Sequence, residues 1–212
     1  MKRAKILIVS SVIIIFLLII VGCKNANEAK KDDLNQIKKR GALIVATSAD
    51  YPPYDFSILE NGKNKIVGVD IDLAKAIAKG LGVKLEIKNM QFDSVLASVS
   101  SGRADIAISG LNITKEHQKS YDFSVPYYHA GQVALINKKD AHKYTKLADF
   151  NEKQILVQQA SVCKEVAEKQ LPKAKIVTTD TVFNGIMQLQ ARKAVALILD
   201  KPTAEGYADN NS

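Results

Sequence analysis

The sequence predicts an α/β protein made of two successive lobes. Three observations carry that expectation. Short apolar runs alternate with stretches of helical period from residue 42 to 108, in the order β-α-β-α-β, which favours a mainly parallel sheet covered by helices. A second round of the same alternation runs from residue 133 to 199. With the first 22 residues set aside as an export segment, 190 of the 212 remain, enough for one sizeable domain or two small lobes.

The export segment begins with Lys2, Arg3 and Lys5. An uncharged run follows from Ile6 to Val21, apolar but for Ser10 and Ser11, and stops at Ile20-Val21-Gly22-Cys23. A charged start, an apolar middle and a small residue before the cut fit a secretory signal. The alternative is an uncleaved anchor, but Ile6 to Gly22 sits at the short limit for spanning a bilayer. The segment ending at Cys23 resembles the lipobox of bacterial lipoproteins, in which a peptidase cuts before the cysteine and the thiol takes a lipid. That resemblance implies a signal peptide at 1–22, acylation at Cys23 (diacylglycerol, palmitate) and a chain held on the extracellular face of the cell membrane.

Asn25 to Lys31 is polar and reads as a tether, assigned to 23–36. Asp32 to Arg40 is expected as a short helix with Leu34 and Ile37 on one side, ended by Gly41. Ala42–Thr47 is a buried strand. Ser48 to Tyr54 is a rigid loop, because Pro52 and Pro53 fix two backbone angles and remove two donors. Asn61-Gly62 marks a hairpin turn between Ser57–Glu60 and Lys65–Val67. Asp70 is expected to cap a helix whose Ile71, Ala74, Ile77, Ala78 and Leu81 recur at helical spacing, stopped by Gly80 and Gly82. Val83, Leu85 and Ile87 alternate as a strand. Phe92, Val95, Leu96 and Val99 form a helix face closed by Gly102, and Ala104–Ile108 is another short buried strand. In the second round, strands are expected at Val133–Ile136, Ile155–Val157, Ile176–Thr178 and Val195–Leu199, and helices at Val162–Gln170 and Phe183–Gln190. The expected division is lobe 1 at 37–135 and lobe 2 at 136–212, with the crossing near His129 to Asn137.

Composition narrows the function. Taking Lys2, Arg3 and Lys5 from 30 basic residues leaves 27 against 22 acidic ones, a modest formal excess of +5 spread along the chain. No dense basic run interleaves with aromatics, so nucleic acid is not expected as a partner. After lipidation Cys163 is the remaining thiol, so stability must come from packing and not from an internal disulfide. There is no His-Glu-x-x-His, Gly-x-Ser-x-Gly, paired-cysteine motif or phosphate loop, so no metal, cofactor or catalytic residue is assigned. Gly80-Leu81-Gly82 ends a helix instead of opening one, unlike a dinucleotide site.

In open α/β sheets, ligands bind beyond the carboxyl ends of the strands. That rule selects Ser48 and Tyr51 after the first strand, and Ser109, Gly110, Leu111, Asn112 and Thr114 after the strand at 104–108. It also selects Gln158, Gln159, Ala160 and Ser161 after the strand at 155–157, and Asp200 after the last. Hydroxyls, amides, one carboxylate and an aromatic suit a small polar ligand better than a transition state.

Six segments then carry a resemblance. They are Ala46-Thr47-Ser48-Ala49-Asp50-Tyr51-Pro52-Pro53-Tyr54, Val67-Gly68-Val69-Asp70-Ile71-Asp72-Leu73-Ala74, Met90-Gln91-Phe92-Asp93-Ser94-Val95-Leu96, Ala104-Asp105-Ile106-Ala107-Ile108-Ser109-Gly110, Tyr121-Asp122-Phe123-Ser124-Val125-Pro126-Tyr127-Tyr128 and Leu199-Asp200-Lys201-Pro202. In that order they resemble the substrate-binding proteins of polar amino-acid ABC importers, the family 3 solute-binding type. The resemblance implies a bilobed periplasmic-binding-protein-like fold (type II) that delivers a free amino acid to ABC permease subunits. It places Tyr51 and Phe92 as rings flanking the ligand, Gly110 and Asn112 in a loop that offers backbone and side-chain hydrogen bonds, and Ser161 as a hydroxyl and N–H at a helix start. It places Asp200 as the acceptor of the ligand's ammonium group. Tyr127, Tyr128 and Lys138 read as scaffold and surface.

The sequence departs from that pattern in places. His117 stands where the family usually has an arginine that grips the ligand carboxylate with two parallel bonds; an imidazole gives one. Ala160 and Val162 stand near a usual glycine, and Val195 where an aspartate is common. Cys163 lies beside a helix start, a position that can lower a thiol pKa, although no catalytic partner neighbours it. The second lobe and the C-terminal return to the first lobe are expected to be incomplete, which makes a non-binding remnant lipoprotein one alternative. A dehydratase-like enzyme on the same fold is the other, with His117 and Asp200 as the only pair to propose. Ser48 replaces an aspartate that contacts the ligand side chain in some relatives. Unless Asp50 or Asp93 compensates, that favours glutamine over a strongly cationic ligand, with arginine, lysine and cystine left open.

Overall fold

A computed structural model describes residues 33–209. The expected signal, the lipidation position Cys23 and most of the tether lie outside the described residues. Helix α1 (Asp33–Arg40) carries Asp33 in its first turn and Lys38, Lys39 and Arg40 in its last, the arrangement that complements a helix dipole.

From residue 41 onward the chain builds three sheets. The first has the order β5-β1-β6 and is parallel throughout: β1 (Ala42–Thr47) is central, β5 (Lys84–Asn89) and β6 (Ile106–Ala107) flank it. Leu43, Val45 and Ala46 are buried at the centre, as a strand covered on both faces requires. Between these strands run α2 (Val69–Leu81) and α3 (Phe92–Ser100). The second sheet is an antiparallel ribbon of β2 (Asp50–Tyr51), β3 (Asp55–Glu60) and β4 (Lys63–Val67). Asn61 and Gly62 turn the hairpin with φ of 52° and 73°, as the Asn-Gly pair predicts.

The third sheet has the order β7-β10-β8-β9. Its strands are β7 (Gln132–Ile136), β8 (Gln154–Gln158), β9 (Lys175–Thr179) and β10 (Ala196–Asp200), and only β7 runs antiparallel to its neighbour. Every residue of β10 is buried. The two-residue alternation divides its core cleanly. Ile155, Val157, Ala196 and Ile198 pack with Cys163 and Ala167 of α4 (Val162–Gln170). Leu156, Leu197 and Leu199 face the other way, onto Val182, Ile186 and Leu189 of α5 (Val182–Gln190) and Ala204 of α6 (Lys201–Asp209). Each fully buried aliphatic side chain of this kind contributes about 1.5–3 kcal/mol of transfer free energy.

Several expectations are corrected. All of β7 pairs with β10, so the lobe boundary expected at 135/136 falls inside a strand of the third sheet. Gly80 lies within α2, which runs to Leu81 before Gly82 ends it in a left-handed cap. The strand expected at 104–108 pairs with β1 over Ile106 and Ala107. Asp70 is not the cap of α2; Gly68 is, with no side-chain capping bond.

Candidate functional site

The first half of the site is held by two buried carboxylates. Asp55, at the start of β3, is fully buried. Its Oδ2 accepts from the Thr47 hydroxyl at 2.5 Å, the Ser48 N–H at 3.1 Å and the Ser109 hydroxyl at 2.6 Å. The Ser109 oxygen in turn accepts from the Ser48 N–H at 3.0 Å. One carboxyl group therefore ties the loop after β1 to the loop after β6. Three donors converge on Oδ2 while Oδ1 has no partner. Burial dominates and pushes Asp55 up to about 8, against the pull of the Ser109 and Thr47 hydroxyls.

Asp70 does the same for the next residue of the loop. Its Oδ2 accepts from the Gly110 N–H at 2.6 Å and its Oδ1 from the Tyr127 hydroxyl at 2.9 Å. Burial raises its pKa too, opposed by those two bonds. Two glycines make the approach possible. At Gly68, with φ of 127°, a Cβ would lie 2.1 Å from the Tyr54 carbonyl oxygen, so only glycine lets the loop close on the start of α2. There the Val69 and Asp70 N–H groups donate to the Pro53 and Tyr54 carbonyls at 3.0 and 2.9 Å. At Gly110, with φ of 54°, a Cβ would stand 3.2 Å from the Tyr51 ring and 3.8 Å from that of Tyr54. Those two rings stack at 5.9 Å.

Asn112 and His117 lie half-buried beyond the same loop. The His117 N–H donates to the Thr114 hydroxyl at 3.0 Å, and its Nδ1 lies 3.5 Å from the Asn112 carbonyl oxygen. Phe92 opens α3 and is half-buried. Ser48, Asp50, Asn89, Met90, Gln91 and Thr181 line a cavity of about 360 Å³. A larger cavity of about 710 Å³ takes in Tyr54, Ser109, Gly110 and Asn112 along with apolar side chains of α2 and α3.

In the second half, Ser161 precedes α4 and donates its hydroxyl to the Gln158 carbonyl at 2.7 Å; it makes no side-chain capping bond. The Gln158 Nε2, at the end of β8, is buried and has no partner. Asp200 ends β10, only 4% exposed, and its Oδ1 accepts from the Gln132 Nε2 at 2.7 Å. Cys163 is buried, and burial with the Asp200 charge nearby pushes its thiol up to about 12. The helix start does not activate it; the thiol stays protonated and inert.

The halves meet at Tyr51 and Asp200, which are 149 residues apart in sequence: the Asp200 N–H donates to the Tyr51 hydroxyl at 3.1 Å. The Tyr51 ring packs on the cluster of Leu156, Val182 and Leu199. Asp50, weighed as a partner for a cationic ligand, is instead bonded to the Val182 N–H at 2.7 Å. Thus the structure joins Ser48 to Ser109, Gly110 to Tyr51, and Tyr51 to Asp200. The loop-organising bonds of Asp55 and Asp70 are not among the sequence expectations, which made Asp70 a helix cap. A faint signal for Asp55 was an acidic residue beside the apolar Phe56, Ile58 and Leu59 of its strand. Among the described residues no group of three metal-ligating side chains converges, and no helix is long and apolar enough to cross a membrane.

Residues 43–201 match the bacterial extracellular solute-binding proteins, family 3. The chain belongs to this family. An amino-acid ABC transporter substrate-binding protein from Streptococcus pneumoniae Canada MDR_19A, solved with L-arginine, superposes with a TM-score of 0.84 at 42% identity. The match covers 86% of this chain and 76% of that one, and gives this family 3 chain the bilobed, type II periplasmic-binding fold. The arginine-binding extracellular protein ArtP of Bacillus subtilis (strain 168) is 32% identical over 213 residues, 100% of this chain and 78% of ArtP. The probable ABC transporter extracellular-binding protein YckB of the same strain is 33% identical over 156 residues, 73% of this chain and 54% of YckB. The matched region is thus about half the length of YckB. The chain is also similar to a cyclohexadienyl dehydratase of Pseudomonas aeruginosa, 27% identical over 175 residues, 82% of this chain and 64% of the enzyme.

Proposed function

We propose that this protein captures a polar L-amino acid between its two lobes and passes it to the permease subunits of an ABC importer. The observation that carries the reading is the bond from Asp200 to Tyr51, which brings residues from the two halves to one point beside Gly110. There the Asp200 carboxylate would accept the ligand's ammonium group. The rings of Tyr51 and Phe92 would flank its aliphatic part, because aromatic faces shed water around apolar carbon. The start of α4 with Ser161, together with Asn112 and His117, would receive the carboxylate; a helix start favours an anion. His117 supplies one bond where an arginine fork would supply two.

Glutamine is the first ligand to test, since Ser48 itself is uncharged and the Asp50 carboxylate beside it already receives the Ser48 hydroxyl and the Val182 N–H. Arginine is the second, because ArtP is named for it and the pneumococcal protein was solved with it. A catalytic role has less support. The His117 ring lies beside the Asn112 carbonyl and the Asp200 carboxylate is bonded to Gln132, so no acid–base pair is assembled. Melting the protein with each amino acid separates these readings. A binder gains melting temperature with one or a few of them, by an amount that grows with concentration. An enzyme would consume the compound, and a protein with no such role would show no shift with any.

The lipid anchor is part of the same proposal. The residues before Cys23 support it, and the anchor would keep the binding lobes at the outer face of the cell membrane. Cys23→Ser is expected to move the protein from the membrane fraction to the soluble one. Retention in the membrane after that change would contradict an anchor at this thiol.

A further inference from the structure

We propose that Asp50 is a closure latch, a positioning residue that sets how tightly the two lobes hold together and hence how long a ligand stays. The proposal rests on the two-lobe capture described above, but its central contacts can be tested without a ligand. Asp50 sits on the loop of the first half, between Ser48 and Tyr51. Its Oδ2 accepts from the N–H of Val182, the first residue of α5, at 2.7 Å, and the Phe183 N–H bonds to the same carboxylate. Its own carbonyl oxygen accepts from the Tyr207 hydroxyl of α6 at 2.8 Å. One residue is therefore fixed to two helices of the other half, by side chain and by main chain.

The start of α5 is divided between local and distant partners. A helix begins with four N–H groups that lack partners within it. Thr181, the N-cap, accepts from the Asn184 N–H at 3.1 Å with its hydroxyl. Asp180 takes the Thr181 N–H at 2.9 Å and the Asn184 Nδ2 at 2.7 Å. The first two N–H groups, those of Val182 and Phe183, are left to Asp50. A carboxylate there gains from the helix dipole as well as from the bonds. Separating the lobes breaks these contacts together with the bond from Asp200 to Tyr51. The Asp50 Oδ1 also accepts from the Ser48 hydroxyl at 3.4 Å, at the edge of the cavity that both residues line, so exchange at the α5 amides reads the latch apart from any direct effect on the ligand.

The test compares Asp50→Ala and Asp50→Asn with the unaltered full chain, by hydrogen exchange at the Val182 and Phe183 amides and by dissociation rates of a bound amino acid. Asp50→Ala is expected to speed exchange at both amides at least tenfold. It is also expected to speed ligand dissociation about tenfold while leaving association nearly unchanged. Asp50→Asn keeps an acceptor oxygen and should fall between, which also decides the matter if the alanine variant does not fold. Unchanged exchange in both variants overturns the latch, even if the protein binds its amino acid. Faster exchange with an unchanged dissociation rate overturns its role in ligand retention. If the unaltered chain binds no amino acid, the capture reading fails and the exchange comparison alone decides whether the latch exists.

Discussion

Asp55→Asn is expected to flatten the pH dependence of stability between about pH 4 and 8. In the folded protein Asp55 is held up to about 8 by burial, whereas in an unfolded chain it titrates near 4. A group raised on folding stabilises most fully below its unfolded pKa, and that contribution is lost as pH rises to its folded pKa. The slope is about 1.4 kcal/mol per pH unit inside the window and levels off above it. The proton belongs on Oδ1, because Oδ2 already receives three donors. Asp50 and Asp70 are raised in the same direction, so the unaltered protein also carries their slopes. Subtracting the Asn variant isolates the Asp55 share. Asp55→Ala should be worse at every pH, by about 3 kcal/mol, because it leaves the Thr47 hydroxyl, Ser48 N–H and Ser109 hydroxyl without their common acceptor. Urea unfolding at pH 5, 6, 7 and 8 measures both effects. Parallel curves for the unaltered and Asn proteins would mean that Asp55 does not titrate in this range.

Asp200→Asn is expected to weaken amino-acid binding roughly 30- to 1,000-fold, the range for losing one partner of a buried, hydrogen-bonded charge pair. The fold should survive. Asparagine has nearly the same shape, its carbonyl can still accept from Gln132, and the main-chain bond to Tyr51 is unaffected. Affinity, not melting temperature in buffer, should therefore register the change. A comparable loss of both would place Asp200 in the scaffold instead of the site.

The alternation of strand and helix was legible because it follows directly from burial. The apolar run at 196–199 reads as a strand covered on both sides, and β10 is buried at every position. Val162–Gln170 forms the expected helix to the residue, between Ser161 as N-cap and Leu171 as C-cap. The rule that ligands lie beyond the carboxyl ends of strands selects Ser48, Gly110, Ser161 and Asp200, and the structure places each at or within three residues of a strand's carboxyl end. What the sequence hid were partnerships between distant residues. Asp70, two residues past Gly68 at the start of a helix, looks like a cap, yet it bonds Gly110 and Tyr127, 40 and 57 residues away. Asp50 looked like a free loop carboxylate, and its partner Val182 lies 132 residues on. Local spacing carries no information about such pairs, since they depend on how segments distant in sequence come to face each other. The edge strand β6 came out shorter than its apolar run because apolarity reports burial, whereas a strand also needs a ladder, and β6 pairs only with β1.

Titration calorimetry on the full chain, with a panel of L-amino acids and the Asp200→Asn variant in parallel, tests the capture of an amino acid between the lobes most directly. One-site binding of glutamine, arginine or another polar amino acid, largely lost in the variant, is the expected result. Binding of equal strength in both proteins, or no heat from any amino acid with a monodisperse, cooperatively melting sample, would contradict it.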